Sequence, residues 1–462
     1  MVDRFIANIR RREFGRLDRE GLAYLDYTGS ALHADSQVRA HLAILGRSVL
    51  GNPHSESDPS RASTEAIENA RHLVLRFVDA DPDRYMVCFT ANTSAAIKLV
   101  AESYPFEAGG ALVLSADNHN SVNGVREFAR RSGASLHYAE LDDGLRLAEA
   151  HATLDLAAAG STRSRMFALP AQSNFSGVHH PLSLIENAQR RGFDVLLDAA
   201  AFLPSNPLSL REHSPEFVAL SFYKIFGYPT GLGALIVRRD ALHKLRRPWF
   251  AGGTVDFVSV QNDLHQLKNL PDAFEDGTPN FLNIAALGAG FAFLDQVGMQ
   301  RIHDHVGRLT QRLLHGLASM SYPDGTAGVC VYGPAGMCAR GGTVAFNLID
   351  VEGRAISYSL VERAAREAGV AIRAGCFCNP GAAEAAFGFD ARRTNECLRV
   401  TAARGFTIEA FSRCLGDDTA VGAVRASIGL ANNDRDIDRL IVLVRELLRQ
   451  QPQGVARLHR VG

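Results

Sequence analysis

Between about residues 85 and 240 the chain alternates short apolar runs of strand length with segments of helical period, and no other feature limits the possible folds as much. The runs are Tyr85 to Thr90, Ala111 to Ser115, Arg165 to Pro170, Asp194 to Ala199, Pro215 to Phe222 and Ala234 to Val237. Strands spaced by helices predict an α/β protein with a mainly parallel sheet wrapped on both faces. Ligands of such sheets collect beyond the C-terminal ends of the strands, so the residues after each run are the ones to inspect. From about residue 296 the pattern changes to a long helix, Gln300 to Ser319, then strands Val329 to Tyr332 and Thr343 to Ile349. That predicts a large domain over 25–295 and a smaller α/β domain over 296–450. An N-terminal segment, 1–24, is expected to pack with the small domain, and 451–462 reads as a tail.

The stretch Ser221 to Val237, SFYKIFGYPTGLGALIV, sets one lysine, Lys224, among apolar and aromatic residues. A turn rich in Gly and Pro (Gly227, Pro229, Gly231, Gly233) then leads into a strand. Burial among such neighbours lowers a lysine's pKa and leaves its amine free to attack a carbonyl, as a Schiff-base lysine must. A lone lysine would more often be snorkelling from a strand end. Asp198 closes another apolar run, where a carboxylate is costly without a cationic partner. Asn92, Thr93 and Ser94 open a helix after the first strand, a geometry that caps the helix and also favours an anion at its N-terminus.

Two further clusters carry chemistry. In the small domain, Arg373 precedes Cys376 and Cys378 on a Gly/Pro loop, RAGCFCNPGA, which predicts an exposed nucleophile on a mobile loop. Cys330 and Cys338 are poorly spaced to complete a zinc site with them, and no metal is expected. Near the C-terminus, the strand Val424 to Gly429 carries Arg425. His179 and His180 precede a proline and a helix and read as loop or capping residues.

With a formal net charge of −1, the 462-residue chain has no basic surplus for nucleic acid or anionic membranes, and no apolar run is long enough to span a bilayer. Arg10, Arg11 and Arg12 fall where a secretory signal would need its apolar core. A cytoplasmic protein is expected, and its seven cysteines, odd in number and sparse, fit free thiols in a reducing compartment.

These motifs resemble the class V aminotransferase fold, and most closely the N-terminal desulfurase domain of eukaryotic molybdenum cofactor sulfurases. The likeness runs over about residues 24 to 450 and includes YLDYTGSALH, GNPHS, NHNSVNGVRE and RAGCFCNPGA. It implies a fold type I enzyme dependent on pyridoxal 5'-phosphate (PLP), held covalently by Lys224 with Asp198 on its ring nitrogen. Thr93, Ser94, Ser221 and Tyr223 would contact the phosphate, Tyr223 replacing the histidine of many relatives. Gly277 and Thr278 would reach it from the partner subunit of a homodimer. His119 would stack on the ring and shuttle protons. Asn174 would bond the phenolic oxygen and the substrate carboxylate. Ala201 stands where relatives often have a glutamine, which puts one contact to the phenolic oxygen in doubt. Arg373 and Arg425 would bind the substrate carboxylate, and Cys378 would form a persulfide, with Cys376 as its neighbour.

The implied activity is an L-cysteine desulfurase that releases alanine. A PLP-dependent carbon–sulfur lyase acting on a larger amino acid would not need Cys378, and a relay or scaffold protein would not need Lys224. The sulfurases resembled continue into a molybdopterin-carrying domain that lies beyond the likeness, so the sulfur acceptor stays open.

Overall fold

The computed structural model describes residues 4–53, 55–416 and 419–450; the predicted tail 451–462 and His54 of the GNPHS turn lie outside the described residues. Seven strands form the large sheet: β1 (Tyr85–Thr90), β2 (Ala111–Ser115), β3 (Ser135–Ala139), β4 (Arg165–Pro170), β5 (Asp194–Asp198), β6 (Phe217–Ser221) and β7 (Gly233–Arg238). Their spatial order is β1-β7-β6-β5-β4-β2-β3. All neighbours run parallel except β7, which is antiparallel to both β1 and β6. The link between β6 and β7, residues 222–232, is too short for the crossover that a parallel pair needs, so the chain must turn back. That link carries Lys224, which therefore sits at the C-terminal edge of the sheet.

Strands β2, β5 and β6 are buried along their whole length. Alternate residues feed two cores. Val113, Phe167, Val195 and Val218 point into one, while Leu112, Ala168, Leu196 and Ala219 point into the other. Covering both faces explains why these strands read as continuous apolar runs rather than alternating ones.

The second sheet is fully antiparallel, with β8 (Val329–Tyr332), β9 (Thr343–Leu348), β10 (Arg373–Gly375) and β11 (Ala423–Ser427) in the order β8-β9-β11-β10. Helices Met299–Ala318 and Asp434–Arg449 lie together beside it, cross-linked by Arg308–Asp434 and Arg312–Asp438. The N-terminal helix Arg4–Glu13 is tied to this region by the buried Arg10–Asp436 pair at 2.5 Å, and Ala23–Tyr24 pairs in parallel with Val370–Ala371. The chain then crosses to the lysine segment, where the Ala31 N–H donates to the Tyr223 carbonyl at 3.1 Å.

The expectation of free thiols needs one correction. Cys397 and Cys414 form a disulfide between helices Ala391–Ala402 and Ile408–Leu415. The helical hairpin brings together two sulfurs whose sequence spacing gives no sign of pairing. Cys88, Cys330, Cys338, Cys376 and Cys378 are free.

Candidate active site

The lysine helix, Phe222–Phe226, stops at Gly227, whose φ of 81° suits glycine and whose missing Cβ would lie 2.2 Å from the His33 nitrogen. Phe222, Ile225 and Phe226 face the core, which turns Lys224 toward a cavity of about 330 Å³ at the strand ends. Thr93, Ser94, His119, Asn174, Asp198, Ser221, Tyr223 and Lys224 all line it. Eight residues predicted from five separate segments thus converge on one space.

One end of the cavity suits an anion. Asn92 caps helix Thr93–Ser103, its side chain accepting the Ala95 N–H at 2.9 Å. Ser221 Oγ accepts the Thr93 N–H at 2.8 Å and lies 2.6 Å from Thr93 Oγ1, so the strand β6 end is pinned to the helix start. Ser94 Oγ lies 2.5 Å from Ser121 Oγ, bringing a third hydroxyl to the same rim. Backbone N–H groups and hydroxyls at a helix N-terminus are a phosphate seat.

The other end suits a cation. Asp198 is buried, accepts the Ala200 N–H at 2.9 Å, and takes part in no ion pair among the described residues. A buried carboxylate in that condition leaves a place for a protonated ring nitrogen. Burial lowers the pKa of Lys224, with the charges of Arg425 and Arg373 adding to the effect and Asp198 opposing it. Burial also lowers His119, against the pull of Asp198, so its ring is neutral at pH 7. Ser121 donates its N–H to His119 Nδ1 at 3.1 Å, which leaves the proton of the neutral ring on Nε2. Hydroxyls and a helix N-terminus at one end, a carboxylate without an ion pair among the described residues at the other, and a buried lysine of lowered pKa in the same cavity fit the predicted PLP.

Cys378 is exposed, and its loop is hydrogen-bonded to neighbouring segments. The Asn120 N–H donates to the Cys378 carbonyl at 2.7 Å, and the Asn174 side chain donates to the Phe377 carbonyl at 2.7 Å. Phe377 and Cys378 have φ of 55° and 57°. Two successive left-handed residues other than glycine cost roughly 1–2 kcal/mol each, which the surrounding contacts must offset. Cys376, also exposed, accepts the Asn379 N–H through its carbonyl at 3.0 Å.

Arg373 and Arg425 are cross-strand partners on β10 and β11, and Asp26 stands between them. Its carboxylate accepts from Arg373 at 2.7 Å and from Arg425 at 3.1 Å. Arg425 also donates to the Asn174 carbonyl at 2.9 Å and stacks over the Phe377 ring at 4.7 Å. Its Nε is buried and has no hydrogen-bond partner among the described residues. Gly29 leaves room for this arrangement, since a Cβ there would lie 2.5 Å from Asp26 Oδ2 and 2.7 Å from Arg373 Nη2.

The family model described as Aminotransferase class-V matches residues 23–440. The chain belongs to the class V aminotransferase family. It is 35% identical over 452 residues to the molybdenum cofactor sulfurase of Bos taurus, covering 93% of this chain and 50% of that protein. It is 33% identical over 479 residues to the sulfurase of Arabidopsis thaliana, covering 94% and 57%. The chain thus spans little more than half the length of these curated relatives. Among solved structures, the apo cysteine desulfurase of Thermococcus onnurineus NA1 superposes with a TM-score of 0.77 at 24% identity, covering 96% of this chain and 98% of that one. The cysteine desulfurase CsdA of Escherichia coli gives 0.73 at 23%, covering 96% and 99%. These likenesses establish the fold of this class V aminotransferase as the one seen in PLP-dependent fold type I.

Gly277 and Thr278 do not line the lysine cavity. Thr278 faces an adjoining cavity of about 340 Å³ and accepts from Asn52 at 3.2 Å. Ala201, which stands where relatives often have a glutamine, lines the lysine cavity together with Gln172. Gln172 is buried, its Oε1 lying 2.8 Å from His179 Nε2. His180, read as a loop or capping residue, is instead fully buried 2.8 Å from Asp117. Asp26, Asp117 and Asn379 were not legible as site residues, because each acts on a partner hundreds of positions away. A carboxylate inside an apolar run, as in YLDY, was the one available hint.

Proposed function

We propose that the chain is a PLP-dependent L-cysteine desulfurase that moves the substrate sulfur to Cys378 and releases L-alanine. The observation that carries the reading is the docking of the exposed Cys378 loop onto Asn174, which lines the same cavity as Lys224 and Asp198. Thr93, Ser94, Ser221 and Tyr223 would hold the cofactor phosphate, Asp198 its ring nitrogen, Asn174 its phenolic oxygen, and Lys224 its aldehyde carbon. When bound, PLP supplies an electron sink for the bonds of the substrate α-carbon.

The protein's own groups do the rest. Arg425 binds the substrate carboxylate, with Arg373 and Asp26 fixing its orientation. Lys224, its pKa lowered by burial, accepts the α-proton at Nζ. His119 presents an Nε2 proton to the cavity. The Cys378 thiolate forms a bond to the substrate sulfur as the substrate's carbon–sulfur bond breaks, and the electron pair stays with the carbon, which takes up a proton. The net change is cysteine plus enzyme thiol to alanine plus enzyme persulfide.

A homodimer is part of the reading, because Gly277 and Thr278 lie outside the cavity of their own chain and a second copy could supply them. Sedimentation of the PLP-loaded protein tests this, and a monomer with full activity would refute it. A cytoplasmic site of action is the accompanying expectation, tested by fractionation of the native host. For the reaction itself, Cys378→Ser should bind PLP normally yet produce no alanine from L-cysteine. Pyruvate formed at wild-type rate by that variant would favour a carbon–sulfur lyase, and alanine formed at that rate would refute Cys378 as the sulfur acceptor.

A further inference from the structure

We propose that Asn379 is a positioning residue for the nucleophile: its one side-chain amide locks the Cys378 turn to the cofactor-side loops. The inference rests on the reading that Cys378 receives the sulfur. Asn379 is wholly buried, although the preceding Cys378 is exposed. Its Nδ2 donates to Asp117 Oδ1 at 2.6 Å and to Asn174 Oδ1 at 3.0 Å, while its Oδ1 accepts the Ala382 N–H at 3.2 Å and so caps helix Pro380–Phe387. Three segments meet at this amide: the loop after β2, the loop after β4 and the thiol loop.

Asp117 is held in turn. Ser173 donates to its Oδ1 at 2.8 Å, and His180 Nε2 lies 2.8 Å from its Oδ2, with both Asp117 and His180 buried. The acceptor that fixes Asn379 therefore cannot swing away without breaking two further buried bonds. The helix that follows is pressed close as well, because a Cβ on Gly381 would lie 2.2 Å from the Ala116 carbonyl oxygen.

The consequence concerns the strained turn. Phe377 is buried on one side of Cys378 and Asn379 on the other, so the left-handed pair at 377 and 378 is fixed at both ends and the thiol projects outward. Asn174 is engaged by the same network on both its side-chain atoms, giving to the Phe377 carbonyl and accepting from Asn379. One amide thus sets the thiol and the cofactor-side asparagine relative to each other, a placement that matters because small displacements of reacting groups are costly.

The test compares Asn379→Ala with Asn379→Ser in the full PLP-loaded chain, with Cys378→Ser alongside. Serine can still accept the Ala382 N–H as a helix cap but cannot reach both Asp117 and Asn174. Asn379→Ser should lose less melting temperature than Asn379→Ala, while in both variants kcat for alanine release from L-cysteine falls about tenfold to a hundredfold and KM stays near its wild-type value. Wild-type kcat in Asn379→Ser would overturn the proposal, as would a loss confined to KM, or a loss of rate that merely tracks a loss of melting temperature in both variants. If Cys378→Ser still desulfurates, the underlying reading fails instead, and the two failures are told apart.

Discussion

Asp26 offers the most quantitative test of how the arginine pair is held. Its carboxylate is 13% exposed and sits between Arg425, at 3%, and Arg373, at 51%. The two halves of this bridge should therefore differ in worth. The Arg373 half is largely solvated, so its loss should cost about 0.2–1 kcal/mol. The Arg425 half is buried, and removing one partner of such a pair leaves an uncompensated charge at a cost of about 3–5 kcal/mol. Asp26→Ala should thus destabilise the folded chain by about 3–6 kcal/mol, a large share of the stability of an ordinary domain. Asp26→Asn keeps an acceptor but not the charge and should fall between the two. The assay is urea denaturation at fixed PLP concentration, followed by steady-state kinetics. KM for L-cysteine should rise about tenfold to a hundredfold, since a charge-assisted contact that aligns Arg425 is lost. A loss of stability below about 1 kcal/mol with an unchanged KM would mean that the pair behaves as a surface contact and that Asp26 does not orient Arg425.

Other outcomes follow from the same geometry. Gly29→Ala would drive a methyl to within 2.7 Å of both Asp26 and Arg373, so KM should rise in the same direction as in Asp26→Ala but by less. Ser221→Ala removes a bond to the Thr93 N–H at 2.8 Å and a hydroxyl contact at 2.6 Å, and should weaken PLP binding about tenfold in an absorbance titration. Unchanged affinity would place the phosphate elsewhere. Lys224 has its pKa lowered by burial, so the unfolded chain binds more protons than the folded one between the folded value and the ordinary 10.5. Stability from this group is accordingly lost as pH falls through that window and regained as pH rises toward 10.5. Lys224→Met should therefore raise the melting temperature of the PLP-free protein at pH 7, with the advantage shrinking as pH rises; a gap that does not change with pH would contradict the assignment.

Six of the seven strands of the large sheet were legible because they are mostly buried and read as apolar runs; the edge strand β3, Ser135–Ala139, is partly exposed and carries Ser135 and His137, and gave no such run. Lys224 and Asp198 were legible because a charge at the end of such a run needs a reason. The reversal at β7 was not marked, although the short link after Ser221 contained it in principle. What the sequence could not show were the long-range partners. Asp26 meets Arg425, Asp117 meets Asn379, and Cys397 meets Cys414 only after the chain has folded, and none of these pairs leaves a periodic trace. The same holds for the thiol loop: the Gly and Pro content of RAGCFCNPGA marks a turn but not the hydrogen bonds that anchor it to Asn174 and to the backbone at Asn120.

In the proposed reaction sulfur leaves the substrate for Cys378. Mass spectrometry of the peptide containing Cys378, taken from the PLP-loaded chain after brief turnover with L-cysteine under non-reducing conditions, tests it most directly. One additional sulfur atom on Cys378, with alanine formed in step, is the predicted result. An unmodified Cys378 in a protein that still releases sulfide and alanine would contradict it.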